Sequence, residues 1–273
     1  MIVAINYSND KFKEQQKYNT LTTYKYGKVD KVIEYSPKDL DNQFREENKE
    51  LLQVKRGGGL WLWKPYIILK TLNQLNDGDF LFYIDSGAYC CNDIHLLVNI
   101  LETEKKDILA FLLPLMEFQW TKKETFDFFK ESDFSRNQFL SGYFILRKSD
   151  ITVKFVTEWL ECMKKPICSS PVDTSESKFS TFISHREDQS VFSLLCYKYN
   201  VIGHRDPSQY GDYPWLYKST NVACRFMKFS NSPYPRIVVS ERSVKPKKFK
   251  FKLFILDCLD KLDLFRFFWD KYK

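Results

Sequence analysis

The segment Phe80-Leu81-Phe82-Tyr83-Ile84-Asp85-Ser86-Gly87 limits the folds open to this chain more than any other. Its apolar run follows the turn Asn76-Asp77-Gly78 and is cut off by an acid and two small residues. It is too short for a helix and lacks the alternation of a strand with one wet face. A run of this kind predicts a strand buried on both sides, and such a sheet needs helices above and below it.

The rest of the chain supplies them. Ile2 to Asn6, Lys31 to Tyr35, Ile108 to Leu113, Gly142 to Leu146 and Val201 to His204 read as further strands. Between them, apolar spacing and caps predict helices: from Asp10 to about Tyr24, from Leu40 to Val54, and from Pro65 along Tyr66, Ile67, Leu69, Leu72 and Leu75. Later helices are expected over 96–103, 149–164 and 186–199. The triple glycine Gly57-Gly58-Gly59 should stop the second, and the Ser/Pro/Thr-rich stretch 166–180 reads as a loop. Strands alternating with helices of this length predict an α/β domain over 1–240, with a mixed, mostly parallel sheet flanked by helices. Residues 241–273 form an appended tail.

Composition agrees with a domain of this size. Hydrophobic residues make up 44% and aromatics 17% of the 273 residues, while charged residues at 28% and a mean hydropathy of −0.41 argue against disorder and against an integral membrane protein. No run reaches the roughly 20 apolar residues of a bilayer span. The N-terminal stretch has neither a basic leader nor a cleavable apolar segment, which predicts a cytoplasmic protein. Seven cysteines without a CxxC pair or metal-ligand spacing predict free thiols.

Two acidic segments can carry chemistry. In open α/β sheets ligands collect at the carboxyl ends of strands, where Asp85 stands. A carboxylate there can hold a divalent ion against a diphosphate, with Ser86 and Gly87 leaving room for the approach. Alternatively, Asp85 is a strand-to-turn cap. His185-Arg186-Glu187-Asp188-Gln189-Ser190 opens a helix, where acids are favoured by the dipole in any case. The same pair, Asp188 before Glu187, suits deprotonation of a hydroxyl, and Gln189 suits orientation of a substrate. Lys64 and Arg205 are candidate cations for a diphosphate. The glycine run is not a P-loop, since it lacks the Gly-Lys-Ser/Thr order.

Taken in order, Gly57-Gly58-Gly59-Leu60-Trp61-Leu62-Trp63-Lys64-Pro65-Tyr66, Tyr83-Ile84-Asp85-Ser86-Gly87 and Asp188-Gln189-Ser190 resemble bacterial glycosyltransferases of the GT-A fold that build capsule and O-antigen polysaccharide. The resemblance spans about residues 1–230. It implies a GT-A-like sheet, a UDP-linked nucleotide-sugar donor, and transfer to a hydroxyl of a lipid-linked oligosaccharide. It also implies that Asp85, Ser86 and Gly87 face metal and diphosphate, that the Asp188 segment faces donor sugar and acceptor, and that Trp63, Gly142 and Tyr143 contact substrate. Where the family carries a second acid, this chain has Gly87. Asp85 would then be joined on a Mn²⁺ or Mg²⁺ ion by His204, after a late strand. Trp120, Tyr210, Tyr213 and Trp215 are candidate stacking surfaces for sugar rings.

From Lys245 onward, nine bases against four acids give the tail +5 of the chain's +7. Phe251, Phe254, Ile255, Cys258, Leu259, Leu262, Phe265 and Trp269 fall at helical spacing. A basic stretch beside an aromatic amphipathic helix predicts attachment to the inner face of an anionic cell membrane; the plain alternative is a helix packed on the domain. A nucleic-acid partner would need a basic face on the body, which carries only the remaining +2. A catalytically silent sugar-binding relative is the other alternative, given Gly87.

Overall fold

The computed structural model describes residues 1–172, 179–241 and 246–262. Its strands are Ile2–Tyr7 (β1), Lys31–Tyr35 (β2), Phe80–Ile84 (β3), Ala88–Cys90 (β4), Ile108–Met116 (β5), Asn137–Phe139 (β6), Tyr143–Arg147 (β7), Gly203–Arg205 (β8) and Val238–Ser240 (β9). The longer helices are Lys13–Lys25 (α1), Trp63–Leu72 (α2), His95–Glu104 (α3), Asp150–Met163 (α4), Glu187–Lys198 (α5) and Pro246–Lys261 (α6). The main sheet has the order β2-β1-β3-β7-β5-β6, with β8 also paired to β5.

The apolar run behaves as its composition requires. Leu81 and Tyr83 point into a core with Ile67 and Leu72 of α2, Phe155 and Trp159 of α4, and Phe192 of α5. Phe80, Phe82 and Ile84 point into a second core with Leu97, Val98 and Leu101 of α3. Burying a side chain of this size contributes about 1.5–3 kcal/mol, so this strand anchors both layers. α4 starts where Ser149 and Thr152 cap one another reciprocally.

The sheet is mixed and mostly parallel, as the alternation of strands and helices predicts, with two strands reversed. β1 is parallel to β2 and β3, and β8 is parallel to β5, but β7 runs antiparallel between β3 and β5, and β6 runs antiparallel to β5. The stretch from Gly142 to Leu146 thus enters the sheet in the reverse sense. A strand buried on both faces looks equally apolar in either direction, so composition cannot reveal this.

The expected helix over 40–54 is broken into Asn42–Glu47 and Lys49–Leu52, and the expected loop 166–180 contains a short helix, Pro166–Ser169; residues 173–178 of it lie outside the described residues. A separate pair, β4 antiparallel to β9, lies under α1. All seven cysteines are free thiols, and four of them are buried. No described helix is long and apolar enough to cross a membrane.

α6 packs on the domain by one side. Leu253 is buried with Tyr89 and Val239, and Asp257 pairs with Arg236. Phe251, Phe254, Ile255 and Leu262 remain exposed on the outer side. Phe265 and Trp269 lie outside the described residues.

Candidate functional site

β1, β2, β3, β5 and β8 end along one edge of the sheet, and the reversed β7 begins there, with Tyr143 opposite Ile84. Ser141 and Gly142 therefore lie beside the Asp85 turn. Asp85 N donates to Gly142 O (2.8 Å), Ala88 N donates back to Asp85 O (2.9 Å), and Ser86 Oγ donates to Tyr7 O at the end of β1. Asn19 of α1 donates to Ala88 O (2.7 Å) and Asp85 O (3.2 Å). Behind it, Asn6 Nδ2 donates to Asn19 Oδ1 (2.8 Å), and Gln16 Nε2 to Asn6 Oδ1 (2.8 Å). α1 thus buries an amide-bearing face rather than an apolar one. Buried amides must find partners, and these fix the turn that carries Asp85.

Lys64, in the first turn of α2, joins the two acidic segments. Its ammonium, 2% exposed, lies 2.6 Å from Asp188 Oδ2 and 3.5 Å from Asp85 Oδ1. Tyr83 donates to Asp85 Oδ1 (2.6 Å), and Ser141 Oγ to Asp188 Oδ2 (2.9 Å). Asp188 is nearly enclosed at 8% exposure, whereas Asp85 opens to solvent at 36%. Burial pushes Lys64 toward the neutral form, but Asp188 and Asp85 outweigh it and hold the ammonium above the ordinary lysine range. Burial pushes the Asp188 carboxyl up, against Lys64 and Ser141. Each acid keeps one oxygen, Asp85 Oδ2 and Asp188 Oδ1, with no hydrogen bond from a described residue. The group carries one net negative charge. Gly142 leaves the space: a Cβ there would stand 3.4 Å from Asp85 Oδ2.

The flank is a strained turn. Gly57, Gly58, Gly59, Leu60 and Trp61 all have positive φ, between 53° and 98°. For Leu and Trp this costs about 1–2 kcal/mol each. At Gly59 a side chain would meet the Leu52 backbone at 2.9 Å. Trp63 Nε1 donates to Gly57 O (2.9 Å), and its ring stacks on Tyr7 at 3.7 Å. Arg56, just before the turn, grips Glu187, which itself has φ 35°. Strain of this kind gathers where the surroundings dictate geometry, as at active sites.

Several residues stand elsewhere than the sequence suggested. Lys64 is enclosed between carboxylates and does not reach out toward a phosphate. Glu187 is neutralised by Arg56, and Trp63 is a packing residue. Tyr143 is buried, its hydroxyl donating to Asp206 Oδ1 (2.7 Å), and Gln189 donates to Gln138 (2.8 Å). Arg205 is held by Asp212 (2.8 Å) and by Tyr234 O. His204 is buried against Glu104 (3.2 Å), with Ser232 at its other nitrogen, and neither partner belongs to the Asp85 group. The Trp120 ring lies under Arg186, Tyr213 donates to Asp257, and Trp215 packs on Tyr213.

Arg56 and Asn19 were not singled out in the sequence and carry no local signal, whereas Ser141 lies in the stretch 138–143 that leads into β7, a candidate for contacts with substrate. Asp206, also passed over, is buried with Oδ2 unpaired, and burial pushes its carboxyl up.

Among the described residues no three His, Cys, Asp or Glu side chains cluster as a metal cage. The hard, solvent-facing oxygen Asp85 Oδ2 nevertheless suits Mg²⁺ or Mn²⁺, ions that one or two carboxylates hold together with substrate phosphates and water.

No family model and no curated protein matches the chain. Among solved structures, mouse xyloside xylosyltransferase 1 in its apo form is similar over 88% of this chain and 97% of its own, at 10% identity and a TM-score of 0.44. An active-site mutant of LgtC is similar over 89% and 88%, at 13% identity and 0.45. The glycosyltransferase GlyE of Streptococcus pneumoniae TIGR4 is similar over 78% of this chain and 48% of its own, at 11% identity and 0.41. These are distant likenesses of chain course, below the level at which chemistry carries over.

Proposed function

We propose that this chain transfers a sugar from a nucleoside-diphosphate donor, UDP being the expected nucleotide, to a hydroxyl of a lipid-linked oligosaccharide during surface-polysaccharide synthesis. The observation that supports it most is the pairing of Asp85 and Asp188, from distant segments, on one buried ammonium at the carboxyl edge of the sheet. Each keeps a free oxygen, and their exposures differ fourfold or more. That asymmetry suits two roles: an open carboxylate for the charged donor and an enclosed one for the reacting carbon.

In this reading Asp85 Oδ2 would hold a divalent ion together with the donor's phosphates and water, which leaves Asp188 Oδ1 free for the sugar. That ion supplies positive charge against the departing diphosphate. Lys64 orients both carboxylates and keeps Asp188 ionised. Tyr83 and Ser141 fix one oxygen of each, so the other points at substrate without reorganisation. Asp188 then removes the acceptor proton if the sugar is inverted, or faces the positive sugar carbon if configuration is retained. The strained turn 57–61 and Arg56 brace the Glu187-Asp188 corner. Gln189 acts through Gln138 rather than on substrate.

The acceptor's lipid puts the reaction at a membrane surface. The exposed Phe251, Phe254 and Ile255 beside basic residues support peripheral attachment to the anionic inner leaflet. UDP binding with Mn²⁺, measured by calorimetry and repeated with chelator, tests the donor site. Asp85→Asn should weaken Mn²⁺-dependent UDP binding at least tenfold and abolish nucleotide release from UDP-sugars, with the melting temperature unchanged. Wild-type turnover by that variant would refute the assignment.

A further inference from the structure

An apolar hollow lies away from Asp85. A cavity of about 210 Å³ lies at the ends of β5 and β8, walled by Leu112, Pro114, Tyr210, Phe226 and Phe229. It is on the same edge of the sheet as Asp85, but beyond β7, so it is separate from the donor half formed by β2, β1 and β3. Tyr143, which hydrogen-bonds Asp206 in the cavity wall, directly follows Gly142 beside Asp85.

The cavity's charge is one-sided. Asp206 presents none of its own: Oδ1 is taken by Tyr143 and by Ser208 N, and Oδ2 is sealed from solvent. Arg225 uses only Nε, on Asn137 Oδ1 (2.8 Å), which leaves its two terminal nitrogens without a partner among the described residues. Lys228, also in the wall, is exposed and likewise unpaired. An apolar hollow rimmed by two uncommitted cations complements a ligand with an apolar body and an anionic head. The wall is also tied to the tail. Arg205 pairs with Asp212 (2.8 Å), Asp212 with Arg236 (2.7 Å), and Arg236 with Asp257 of α6 (2.8 Å), whose outer side exposes Phe254 and Ile255.

We propose that this cavity binds the apolar segment of a phosphate-bearing amphiphile, with Arg225 and Lys228 taking the phosphate. The ligand enters from the side that carries α6. Its identification as the acceptor rests on the transfer reaction proposed above; its binding does not.

Farnesyl diphosphate, kept below its micellar concentration, is the probe, with farnesol and inorganic pyrophosphate as the separate halves. Calorimetric titration of the full chain should show farnesyl diphosphate binding at least tenfold more tightly than either half. Lys228→Gln removes an exposed group without a contact, so it tests the site without unfolding risk; it and Arg225→Gln should each weaken binding about tenfold, the size of a lost charged hydrogen bond. Asp85→Asn should leave this binding unchanged, and UDP should not displace the probe. Pyrophosphate binding as tightly as the whole probe would mean a bare phosphate site, and farnesol doing so would mean no anion contact; either result overturns the proposal, as does wild-type affinity in both variants or displacement by UDP. Loss of probe binding with UDP binding intact sinks this inference alone, and the converse sinks the donor site alone.

Discussion

Lys64→Met removes the one charge that lets two carboxylates share the edge of the sheet, and its consequences follow from burial. Met keeps the length and apolar stem of the lysine, so packing against Tyr83 is retained. Asp188, 8% exposed, is left with Ser141 as its remaining donor. Breaking a buried pair by removing one partner costs about 3–5 kcal/mol at neutral pH, which in a domain of this size lowers the melting temperature by about 10 °C. The loss depends on pH in a definite sense. In wild type the raised Lys64 pKa contributes stability that is present below the ordinary lysine value and lost only as alkaline pH passes the raised one, so the ammonium is constant across the acid and neutral range. In the variant the Asp188 carboxyl rises further. A carboxyl with a folded pKa above its unfolded one is most favourable below the unfolded value and loses that advantage as pH climbs through the folded value. The gap between variant and wild type should therefore be widest at pH 7–8 and shrink toward pH 4–5. Adding Asp188→Asn should restore most of the stability at pH 7 and remove the new pH dependence. Urea unfolding from pH 4 to 8 measures all three proteins. A gap that is flat with pH, or a Lys64→Met protein as stable as wild type at pH 7, would show that the ammonium does not hold Asp188 ionised.

Glu117 offers a second pH test: enclosed with Ser193, Thr121 and Gln138, it is pushed by burial up to about 7. Its stabilising proton is fully present below the ordinary glutamate value and lost as pH rises to about 7, so Glu117→Gln should flatten that decline, worth about 3 kcal/mol; an unchanged pH profile of unfolding would contradict it. The triple change Phe251→Ser, Phe254→Ser, Ile255→Ser should abolish co-sedimentation with vesicles containing anionic lipid and leave the melting temperature within about 2 °C, because those side chains are exposed. Unaltered sedimentation would remove the basis for membrane attachment.

What could be read ahead of the structure was the part written in local chemistry. The double-faced strand Phe80–Ile84, the acid at its end and the acid pair at the start of α5 were all visible as short patterns, and so was the glycine stop. The direction of β7 was not, because a fully buried strand lacks the polar alternation that would mark a face or a sense. α1 was visible as a helix but not as part of the site. Its buried positions are Gln16, Asn19, Thr22 and Thr23, residues that a hydrophobic-face argument assigns to solvent. Lys64 was noticed for its charge and given an outward task. Its burial depends on Asp85 and Asp188 arriving from segments far away in sequence, and no local signal encodes that meeting.

The same meeting gives the edge a second carboxylate although Asp85 is the one acid of the Asp-Ser-Gly turn. With Gly87 in the third position, the motif contributes one carboxylate, but Asp188 comes in across Lys64 and contributes a second free oxygen. Gly142, rather than a larger residue, keeps the space at Asp85 Oδ2 open. Two free carboxylate oxygens flanking one ammonium leave a single net negative charge, enough to attract a divalent ion and too little to repel a diphosphate as strongly as two unpaired acids would. Drawing the second acid from α5 and not from the same turn also gives the two carboxylates different surroundings. One faces solvent and the other is enclosed, a division that two neighbouring acids on the same turn could not achieve.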